Sequence, residues 1–589
     1  MKNSSYCKIL GLSVLFLMIC VSFSSAVSND TQTIKVDGKN NIFQKHKFNL
    51  NTDFQGHIFF PPEYSEFSYL INSDGETIHS WKSDYKPGLA AYLLENGNII
   101  RNCVYVVNPR FMSGGVTGRV EQINWSGELG WSFDYSNDKK CLHHDMEILP
   151  NGNILMIAWE YKSKWQAMWV GRNPNYISLN QVWPDHIIEV EKTGPNGGRI
   201  VWEWHVWDHL IQDYSKYRYN YGVVEDHPEL IDINYGGSAT DWLHCNSIDY
   251  NEEFDQILIS VNHFNEIWII DHSTTTEEAA GHTGGNSGKG GDLLYRWGNP
   301  EAYRAGTIED KKFFDQHDAQ WIPFDYPGEG NILVFNNGVD RPDGSYSSIE
   351  ELEPPVNDSG FYYLDPNESY GPLEPVWKYT AENHSDFYSS SLSGVQRMPN
   401  GNTLICNGNA GEFFEVTPNK EIIWDYLNPY PNSLLNNVFK IQYIPVQEEP
   451  EDPNLECYGS LNWNDIKTGA TVYGSFKIEN IGGNNSMLNW KIDSYPNWGT
   501  WSFDTEFGEG LTPEDGEITI NVTVVAPTEK NKIFKGSLRI ENQNNTNDFD
   551  VVSINLNTQR ERSFEKIVSK NLFRSKLLFL IFNFMFLMR

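Results

Sequence analysis

The sequence predicts an all-β protein, a six-bladed β-propeller followed by a C-terminal immunoglobulin-like β-sandwich. Residues 50–447 contain short runs of apolar and β-branched residues separated by Gly, Asn, Asp and Pro, which is the pattern of strands and turns. This pattern repeats with a period of about 40 to 70 residues, which favours a propeller. Residues 455–558 alternate apolar and polar positions, which favours a sandwich.

Each repeating unit has two recognisable parts, an Asn-Gly hairpin and a strand that ends in tryptophan. The hairpin occurs at 94–100, 149–155 and 398–404, and a looser copy occupies 328–333. Asn-Gly predicts a type I′ turn, because both central residues of that turn need a positive φ. The tryptophans that end the strands are Trp131, Trp202, Trp297, Trp377 and Trp424.

These markers divide the region into six units, and residues 439–445 are expected to pair with an N-terminal strand and close the ring. Ring closure leaves only short, protected strand edges. The six predicted units are 57–85, 90–134, 142–204, 243–298, 316–379 and 393–426.

Residues 1–26 predict a secretory signal peptide. Lys2 and Lys8 precede an apolar run at 9–21 that is short for a spanning helix, and small residues follow at 24–26. The protein is therefore expected to be secreted or at the cell surface. Outside this segment there are five cysteines without CxxC spacing, which argues against a disulfide framework and leaves one bridge open.

The C-terminal part begins after a predicted linker at 448–454, which is rich in Pro and acidic residues. The sandwich at 455–558 is expected to contain about seven strands, and it has no histidine and hence no catalytic constellation. Residues 559–589 form a basic and then apolar tail. Its apolar part, 577–588, is too short to span a bilayer comfortably, so surface association, sorting and packing on the sandwich all stay open. Four tryptophans are available for the sandwich core: Trp463, Trp490, Trp498 and Trp501.

The net charge of −34 is spread along the chain. Binding to nucleic acid requires clustered Lys and Arg, so nucleic acid is not an expected partner. A solvated acidic surface that keeps the protein soluble explains most of this charge. An anionic substrate would therefore need a local cluster of cationic or imidazole groups.

Three histidines stand where the innermost strands of three successive units begin: His144, His244 and His317. In a propeller these strand ends converge on a central pocket, so the three imidazoles are expected to meet, although each could instead cap its own turn. Arg341, just past the strand at 331–335, adds a forked donor. Imidazole and guanidinium together suit a tetrahedral oxyanion such as sulfate or phosphate.

A metal site is the competing interpretation of the same histidines. His143, His144 and Asp145 contain metal-ligand types, as do His205, Asp208 and His209. The spacing from His205 to His209 lacks the glutamate of HExxH, so no metal or other cofactor is predicted.

Several motifs together resemble the arylsulfotransferase family. They are DWLHCNSI at 241–248, Gln316-His317, FNNG at 335–338 followed by Arg341, and SGVQ at 393–396, and the resemblance extends over about 50–445. It implies an exported six-bladed propeller that moves a sulfuryl group from an aryl sulfate to a phenol without a nucleotide donor. In this family a central histidine is transiently sulfated.

The resemblance also implies roles for particular residues. His244 matches the histidine of the family's DWxHxNS motif, His317 that of its QH motif, and Arg341 the arginine after its FxNG strand. The family nucleophile, placed near the strand after SGVQ, is not matched, because 406–413 reads CNGNAGEF. An asparagine expected shortly after the QH histidine is replaced by Ala319.

The predicted catalytic residues are therefore His244, His317, Arg341 and His144. Either His144 or His317 could serve as the nucleophile, or transfer could be direct with general-base assistance. Four further residues are predicted to bind substrate: Asn246, Asn337, His263 and His205.

The predicted function is that of a secreted sulfotransferase with an aryl sulfate donor and a phenolic acceptor as its small-molecule partners. Two alternatives stay open. One is a noncatalytic propeller that binds a glycan or anionic ligand at the cell surface, and the other is metal-assisted hydrolysis of a sulfate or phosphate ester. The oligomeric state is open as well.

Overall fold

The computed structural model describes residues 56–105, 108–366, 368–445, 452–483 and 486–560. The predicted signal peptide, most of the predicted linker and nearly all of the tail lie outside these ranges. Strands dominate the described chain, and the only α-helices in it are α1 (Lys164–Trp169) and α2 (Thr276–Ala279), so the all-β prediction is confirmed. No helix within the described ranges is long and apolar enough to cross a membrane.

Residues 57–444 form six four-stranded antiparallel sheets and two short extra strand pairs. The strands up to residue 232 are β1 (His57–Phe60), β2 (Phe67–Ile71), β3 (Thr77–Lys82), β4 (Pro87–Leu93), β5 (Ile99–Val104), β6 (Gly118–Ile123), β7 (Leu129–Asp134), β8 (Lys140–Ile148), β9 (Ile154–Glu160), β10 (Lys162–Ser163), β11 (Gln181–Val182), β12 (Asp185–Lys192), β13 (Gly198–His205), β14 (Leu210–Ile211) and β15 (Ile231–Asp232). The remaining strands of this region are β16 (Cys245–Asn251), β17 (Gln256–Val261), β18 (Glu266–Asp271), β19 (Tyr295–Trp297), β20 (His317–Trp321), β21 (Ile332–Asn336), β22 (Ser348–Leu352), β23 (Trp377–Tyr379), β24 (Gly394–Arg397), β25 (Thr403–Asn407), β26 (Glu412–Val416), β27 (Ile422–Leu427) and β28 (Gln442–Ile444).

The first sheet joins the two ends of this region. Its strand order is β28-β1-β2-β3, with Ile58 opposite Tyr443. The other five sheets, in chain order, are β4-β5-β6-β7, β8-β9-β12-β13, β16-β17-β18-β19, β20-β21-β22-β23 and β24-β25-β26-β27. The extra pairs β10-β11 and β14-β15 lie within insertions around the third sheet.

Tryptophans of the outer strands connect five of the six sheets to the next. In each of these five the indole N–H donates to a group of the following sheet or its loops, and one of them, Trp424 of the sixth sheet, reaches the Ser73 carbonyl of the first. The sheets therefore contact one another in cyclic order. The other four bonds run from Trp131 to Gly197 O, Trp202 to Thr274 Oγ1, Trp297 to Pro372 O and Trp377 to Pro418 O.

The inner strands β4, β8, β16, β20, β24 and β28 are tied together in a similar way. A side chain of one inner strand bonds the next sheet at every step, so the inner strands also follow one another around a ring. The bonds run from Tyr92 Oη to Asp145 Oδ1 (2.7 Å), Ile248 N to Asp145 Oδ2 (3.4 Å), Trp321 N to Asp249 Oδ2 (2.6 Å), Val395 N to Asp318 Oδ2 (2.8 Å), Tyr443 N to Gln396 Oε1 (2.8 Å) and Leu93 N to Gln442 Oε1 (2.7 Å).

The Asn-Gly hairpins do not adopt the predicted type I′ turn. Only the glycine has a positive φ, +77° at Gly97, +83° at Gly152 and +84° at Gly401, while the preceding asparagines do not. In each hairpin the glycine N–H donates to the carbonyl three residues earlier, as Gly152 N does to Leu149 O (2.8 Å). This is a type I turn followed by a left-handed glycine. Proline before the asparagine in two copies favours it, because the fixed negative φ of proline suits the first central position of a type I turn.

Residues 455–558 form two further sheets. Their strands are β29 (Leu455–Tyr458), β30 (Ser460–Ile466), β31 (Thr471–Asn480), β32 (Leu488–Ser494), β33 (Thr500–Phe503), β34 (Phe507–Leu511), β35 (Ile518–Val525), β36 (Ile533–Asn542) and β37 (Phe549–Thr558). The sheet orders are β29-β31-β35-β33 and β30-β37-β36-β32-β34, so there are nine strands where about seven were expected. Trp463 and Trp490 are buried in their shared core, and Trp498 and Trp501 pack against it half-buried.

The five cysteines of the described ranges are all free thiols, so the bridge left open by the sequence is not formed. Four of them are buried, and burial raises the pKa of the Cys103 thiol to about 12. The core is instead made of apolar side chains, such as Trp204, Ile259 and Val334, that fill the space between neighbouring sheets.

Candidate functional site

The inner strands begin with a repeated backbone irregularity. A residue other than glycine has a positive φ near the start of the inner strand in five of the six sheets: Leu89, His144, His244, Asp318 and Ser393. Four of these strands also shift register at this point. Positive φ is uncommon for such residues and is often retained where a side chain must be aimed at a ligand. His317 lies one residue before this position, so it is offset from His144 and His244.

His244 is held as one half of an ion pair. Its Nδ1 lies 2.6 Å from Asp241 Oδ2. Burial alone would lower the pKa of His244, but the Asp241 carboxylate outweighs it and raises this pKa. Burial likewise opposes ionisation of Asp241, whereas the charge of His244 and its hydrogen bond bring the Asp241 pKa down to about 2. The Asp241 carboxylate therefore favours the imidazolium form of His244.

Asp241 is fixed by two more donors. Trp159 Nε1 donates to Oδ1 (2.9 Å) and Ser113 Oγ donates to Oδ2 (2.6 Å). His263 stacks on His244 with ring centroids 5.0 Å apart, and its Nδ1 lies 3.0 Å from the Asp241 carbonyl oxygen. The structure thus joins His263, a predicted substrate-binding residue, to His244.

His144 is buried beside a second histidine. Its Nδ1 lies 2.8 Å from Nδ1 of His143, whose Nε2 lies 2.7 Å from Asp185 Oδ1. Burial is the main cause that lowers the pKa of His143 to about 3, and burial together with the charge of His244 lowers the pKa of His144 far below its usual range. Both rings are therefore neutral. The rings of His144 and His244 are nearly perpendicular, with centroids 4.5 Å apart.

His317 is neutral and has a defined tautomer. Asn337 donates from Nδ2 to the carbonyls of Ser389 (2.9 Å) and Leu392 (3.1 Å), so its Oδ1 must face His317 Nδ1 at 2.7 Å. A carbonyl-type oxygen only accepts, and the backbone oxygen of Asp315 at 3.1 Å does the same. Nδ1 therefore carries the proton and Nε2 carries the lone pair. Burial lowers the pKa of His317 to about 4.

Phe439 and Lys440 connect these groups. The Phe439 ring lies 6.2 Å from the ring of His144 and 6.1 Å from that of His317, centroid to centroid. The ammonium of Lys440 lies 3.0 Å from Asp145 Oδ2 and 2.8 Å from Asp318 Oδ1. Because Asp145 and Asp318 directly follow His144 and His317, a buried layer of paired charges adjoins the histidines. We call His144, His244, His263 and His317 the histidine pocket, and Lys440, Asp145 and Asp318 the charged layer.

A glycine pair packs directly against the histidine pocket. The amide of His144 donates to Gly115 O (2.8 Å), and a Cβ on Gly115 would lie 2.1 Å from His144 Cε1. Gly115 also has φ +77°. A Cβ on Gly114 would be in ordinary contact, 3.8 Å from His244 Cε1. Any other residue at 115 would displace the His144 ring.

The structure places three further predicted site residues in different surroundings: Asn246, Arg341 and His205. Asn246 is buried, donates from Nδ2 to Gln316 O (2.7 Å), and has no hydrogen-bond partner at Oδ1 within the described chain. It thus ties the strand after His244 to the residue before His317. Arg341 and His205 are not brought into the histidine pocket.

Arg341 braces a loop of the fifth sheet. Its guanidinium donates to Tyr346 O (3.1 Å) and Ser348 Oγ (2.5 Å), and it is flanked by the rings of Phe314 and Tyr346. Glu350 lies 3.7 Å away. Of these partners, Tyr346 lies in the loop that contains Arg341, Ser348 and Glu350 lie on β22, and Phe314 precedes the inner strand β20. The guanidinium is thus engaged by groups of its own sheet. The cation next to the histidines is Lys440.

His205 lies at the end of β13, the outermost strand of the third sheet. Three strand spacings of about 4.8 Å separate β13 from β8, which carries His144. Its ring stacks on His186 with centroids 4.9 Å apart and lies between Glu160 and Glu203, each at 3.5 Å. Burial opposes protonation, but Glu160 outweighs it and raises the pKa of His205. His205 thus belongs to a separate cluster.

Cys406, in the stretch that lacks the family histidine, does not replace it. Its thiol is buried and directed at Val438 O (3.7 Å). Burial and the nearby Asp318 carboxylate raise its pKa far above the usual range of a thiol. A thiolate nucleophile at this position is therefore not available.

A cavity of about 680 Å³ is lined in part by residues just before the glycine pair. Its lining includes Tyr105, Arg110, Met112 and Trp183, but not the residues of the histidine pocket. Met112 is followed by Ser113, which bonds Asp241. Along the chain, the cavity lining thus directly adjoins a residue that contacts Asp241, the partner of His244.

Several groups of the site were not foreseen from the sequence. Asp241 belongs to the DWLHCNSI motif at 241–248. Its Asp-x-x-His spacing could have indicated a carboxylate–imidazole pair. Lys440 is a single charge within the otherwise apolar segment 438–445, which indicates a buried, paired cation. The Asp185 contact with His143 depends on strand register, and no sequence signal reveals it.

Comparison with known proteins agrees with the motifs. The sequence pattern that defines the arylsulfotransferase (ASST) family matches residues 51–443. An arylsulfate sulfotransferase of Escherichia coli is 27% identical over 387 residues, which is 60% of this chain and 60% of that protein. One of Lelliottia amnigena is 28% identical over 187 residues, 31% of this chain and 30% of that protein. The chain thus spans about 60% or less of the length of these relatives.

A solved structure of a Bacteroides caccae protein of unknown function aligns with 67% of this chain and 100% of its own length. The TM-score is 0.37 and the sequence identity 12%.

Proposed function

Because the chain belongs to the arylsulfotransferase family, we propose that it transfers a sulfuryl group from an aryl sulfate to a phenolic acceptor, with His317 as the nucleophile. The activity is carried by the histidine pocket. Each ring in it is oriented by a different partner, and the partners give the rings different protonation states.

The observation that carries this proposal is the tautomer of His317. Asn337 and the Asp315 carbonyl both require a proton on Nδ1, which leaves an uncharged Nε2 with its lone pair free to attack. Its pKa of about 4 keeps this lone pair available throughout the neutral range. His144, the other candidate nucleophile, is engaged at Nδ1 by another imidazole, and a Cβ on Gly115 would meet its Cε1.

In the first step, Nε2 of His317 attacks the sulfur atom of the aryl sulfate. The N–S bond forms while the bond between sulfur and the aryl oxygen breaks, and the electron pair of that bond leaves with the phenolate. The imidazolium of His244 donates its proton to this oxygen, so that a neutral phenol departs. His244 is then neutral and remains hydrogen-bonded to Asp241.

In the second step the acceptor phenol attacks the sulfuryl group on His317. The new O–S bond forms, the N–S bond breaks, and His317 recovers its lone pair. Neutral His244 takes the phenolic proton and returns to the imidazolium form. Each cycle thus begins and ends with a neutral His317 and a charged His244, and no cofactor is consumed.

His263 and Asn246 are assigned to substrate binding. His263 stacks on His244 and presents a further imidazole to the same pocket. Asn246 Oδ1 is a buried acceptor without a partner among the residues that the structure describes, and a buried polar atom of this kind is often reserved for a ligand. Arg341 is given no step in this proposal, because its guanidinium is engaged by Tyr346 O and Ser348 Oγ.

We also infer the architecture and the location of the protein. The cyclic contacts of six four-stranded sheets, with β28 completing the first, support a six-bladed propeller. Two sheets around a shared apolar core support an immunoglobulin-like sandwich for 455–558. The sequence of residues 1–26 supports export. Fractionation of cells that express the full chain, with N-terminal sequencing of the product, tests the export.

Mass spectrometry of the protein after brief exposure to a chromogenic aryl sulfate tests the reaction. We expect one sulfuryl group on His317 in the wild type, release of the phenol, and discharge of the group when phenol is added. The His317→Ala variant should lose both the adduct and turnover. His227→Ala, which removes an exposed histidine paired with Glu229, is the matched control and should retain both.

The alternatives give different results in the same experiment. A noncatalytic anion-binding protein would bind the sulfate ester in saturable fashion without releasing phenol. A metal-assisted hydrolase would release phenol without an adduct, and a chelator would stop it. An adduct on a residue other than His317 would overturn the assignment of the nucleophile.

A further inference from the structure

A second cluster of ligand-type side chains lies away from the histidine pocket. His209, His282 and Asp292 have ligand atoms within 4.8 Å of one another. His209 follows the turn at Val206–Asp208 that comes after β13, and the other two lie in the glycine-rich loop between α2 and β19. His209 is fully buried, whereas the side chain of His282 is 60% exposed.

Both ring nitrogens of His209 face oxygen acceptors, although a neutral imidazole has only one N–H to donate. Nε2 lies 2.8 Å from the Ala279 carbonyl oxygen, which can only accept, so Nε2 carries a proton. Nδ1 lies 2.8 Å from Asp292 Oδ1. In a neutral ring this nitrogen has a lone pair, and a lone pair directed at a carboxylate oxygen is repulsive. A second proton or a metal ion must lie between them.

His282 directs a second nitrogen at the same oxygen. Its Nδ1 also lies 2.8 Å from Asp292 Oδ1. Two imidazoles that converge on one carboxylate oxygen, one of them fixed by a backbone carbonyl at its other nitrogen, reproduce the orientation of histidine ligands around a metal. The carbonyl fixes the tautomer that exposes Nδ1 as a ligand atom.

We propose that His209, His282 and Asp292 bind one divalent transition-metal ion of the zinc type. Two imidazoles and a carboxylate are a ligand set suited to Zn²⁺, and the exposed side of His282 leaves room for a solvent molecule as the fourth ligand. Tetrahedral ligands of zinc lie about 3.3 Å apart, given bonds of about 2.0–2.1 Å. Each imidazole nitrogen would thus separate from Asp292 Oδ1 by about half an ångström, which requires a small shift of the Asp292 carboxylate together with the exposed His282.

The residues around His209 allow the loop that contains Gly291 to approach it closely. The Trp204 indole stacks on the His209 ring with centroids 5.6 Å apart and donates to the Gly291 carbonyl (2.7 Å). A Cβ on Gly291 would lie 2.0 Å from the Ala279 oxygen and 2.7 Å from His209 Nε2. Glycine at 291 is therefore needed for the loop to reach His209.

The ion would act as a structural clamp. It would join residue 209 to the loop at 282–292, which is more than 70 residues further along the chain. A ligand that binds only the folded state stabilises it by an amount that grows with the ratio of ligand concentration to dissociation constant. The site is independent of the proposed sulfotransfer, and its failure would leave that proposal untouched.

Calorimetric titration of the chelator-treated full chain with Zn²⁺ tests the proposal, followed by thermal unfolding with and without the ion. We expect one Zn²⁺ per chain at this cluster and a higher Tm when it is bound. In His282→Ala, affinity should fall by about tenfold or more and the increase in Tm should disappear. Because His282 is exposed, this variant should fold normally.

Two further variants locate the ion. His227→Ala removes another exposed, carboxylate-paired histidine and should bind Zn²⁺ like the wild type. His244→Ala should also retain one Zn²⁺ per chain, because the histidine pocket is a different site. Absence of Zn²⁺ binding would mean that a proton rather than a metal fills the cluster, and unchanged binding in His282→Ala would place the ion elsewhere. Either result overturns the proposal.

Discussion

The histidine pocket and the charged layer are neighbours in the chain but differ in how completely their groups are paired. Lys440 contacts two carboxylates, and Asp145 also accepts from Tyr92 and Ile248. In the pocket, His317 is held at one nitrogen and leaves the other with a free lone pair. Full pairing rigidifies a structure, while an unpaired nitrogen is needed for chemistry.

The charged layer helps to hold the rings of the histidine pocket in place. Each imidazole must be held in one orientation, and the residue that follows two of them, Asp145 or Asp318, is locked by Lys440. The rings of His144 and His317 therefore sit on backbone segments that the charged layer fixes. We infer that the charged layer contributes mainly to stability and the histidine pocket mainly to the reaction.

The largest expected effect is on stability and comes from removing the central cation. Lys440→Met leaves the carboxylates of Asp145 and Asp318 buried without their positive partner, which typically costs about 3–5 kcal/mol. Chemical denaturation should show this loss, and Lys467→Met, which removes an exposed lysine, should show almost none. A Lys440→Met protein as stable as the wild type would contradict the assigned role of the charged layer.

The next effect concerns the pH profile and comes from Asp241→Asn. In the wild type the rate should fall below about pH 4, where His317 becomes protonated, and fall again on the alkaline side as His244 loses its proton. Without the carboxylate, burial lowers the pKa of His244, so the alkaline decline should move to lower pH. At pH 8 we therefore expect a lower kcat/KM than in the wild type, because a smaller fraction of His244 carries its proton. The loss should shrink as pH falls towards about 6.

The same variant should alter how stability depends on pH. The raised pKa of His244 contributes stability that is fully present below its unfolded-state pKa and is lost as pH rises through the folded pKa. The lowered pKa of Asp241 contributes stability above its ordinary value of 3.8, which is lost as pH falls towards about 2. Asp241→Asn should flatten both slopes, whereas Asp386→Asn, an exposed change, should leave the profiles unaltered.

These contrasts show what the sequence could and could not predict. The repeats, the all-β class and the meeting of His144 with His244 follow from local patterns, because strand period and turn residues act over a few positions. The protonation states do not, since they depend on Asp241, Asp185 and Asn337, which approach through turns and strand register. The type I′ prediction was wrong because the turn begins one residue earlier, at a residue that is proline in two of the three hairpins and favours a type I turn.

Arg341 illustrates the same limit. Its position after a strand was read from the chain, but the direction of its side chain depends on the loop that follows. Tyr346, Ser348 and Glu350 lie 5 to 9 residues later, in the following loop and on β22, and they engage the guanidinium there. The charge of Lys440, by contrast, stands in an apolar segment, and its burial could have been inferred.

The smallest expected effect comes from Arg341→Lys, which separates the loop brace from the reaction. Lysine keeps the charge near Glu350 but cannot reproduce the forked bonds to Tyr346 O and Ser348 Oγ. We expect a loss of about 1 kcal/mol in unfolding free energy, typical of a hydrogen bond, and a change in kcat/KM of less than about threefold. Steady-state kinetics with an aryl sulfate donor would measure the second quantity. A fall in kcat/KM of a hundredfold or more, with an unchanged Tm, would show instead that the guanidinium binds the sulfuryl oxygens. Arg341 and its loop would then belong to the catalytic site.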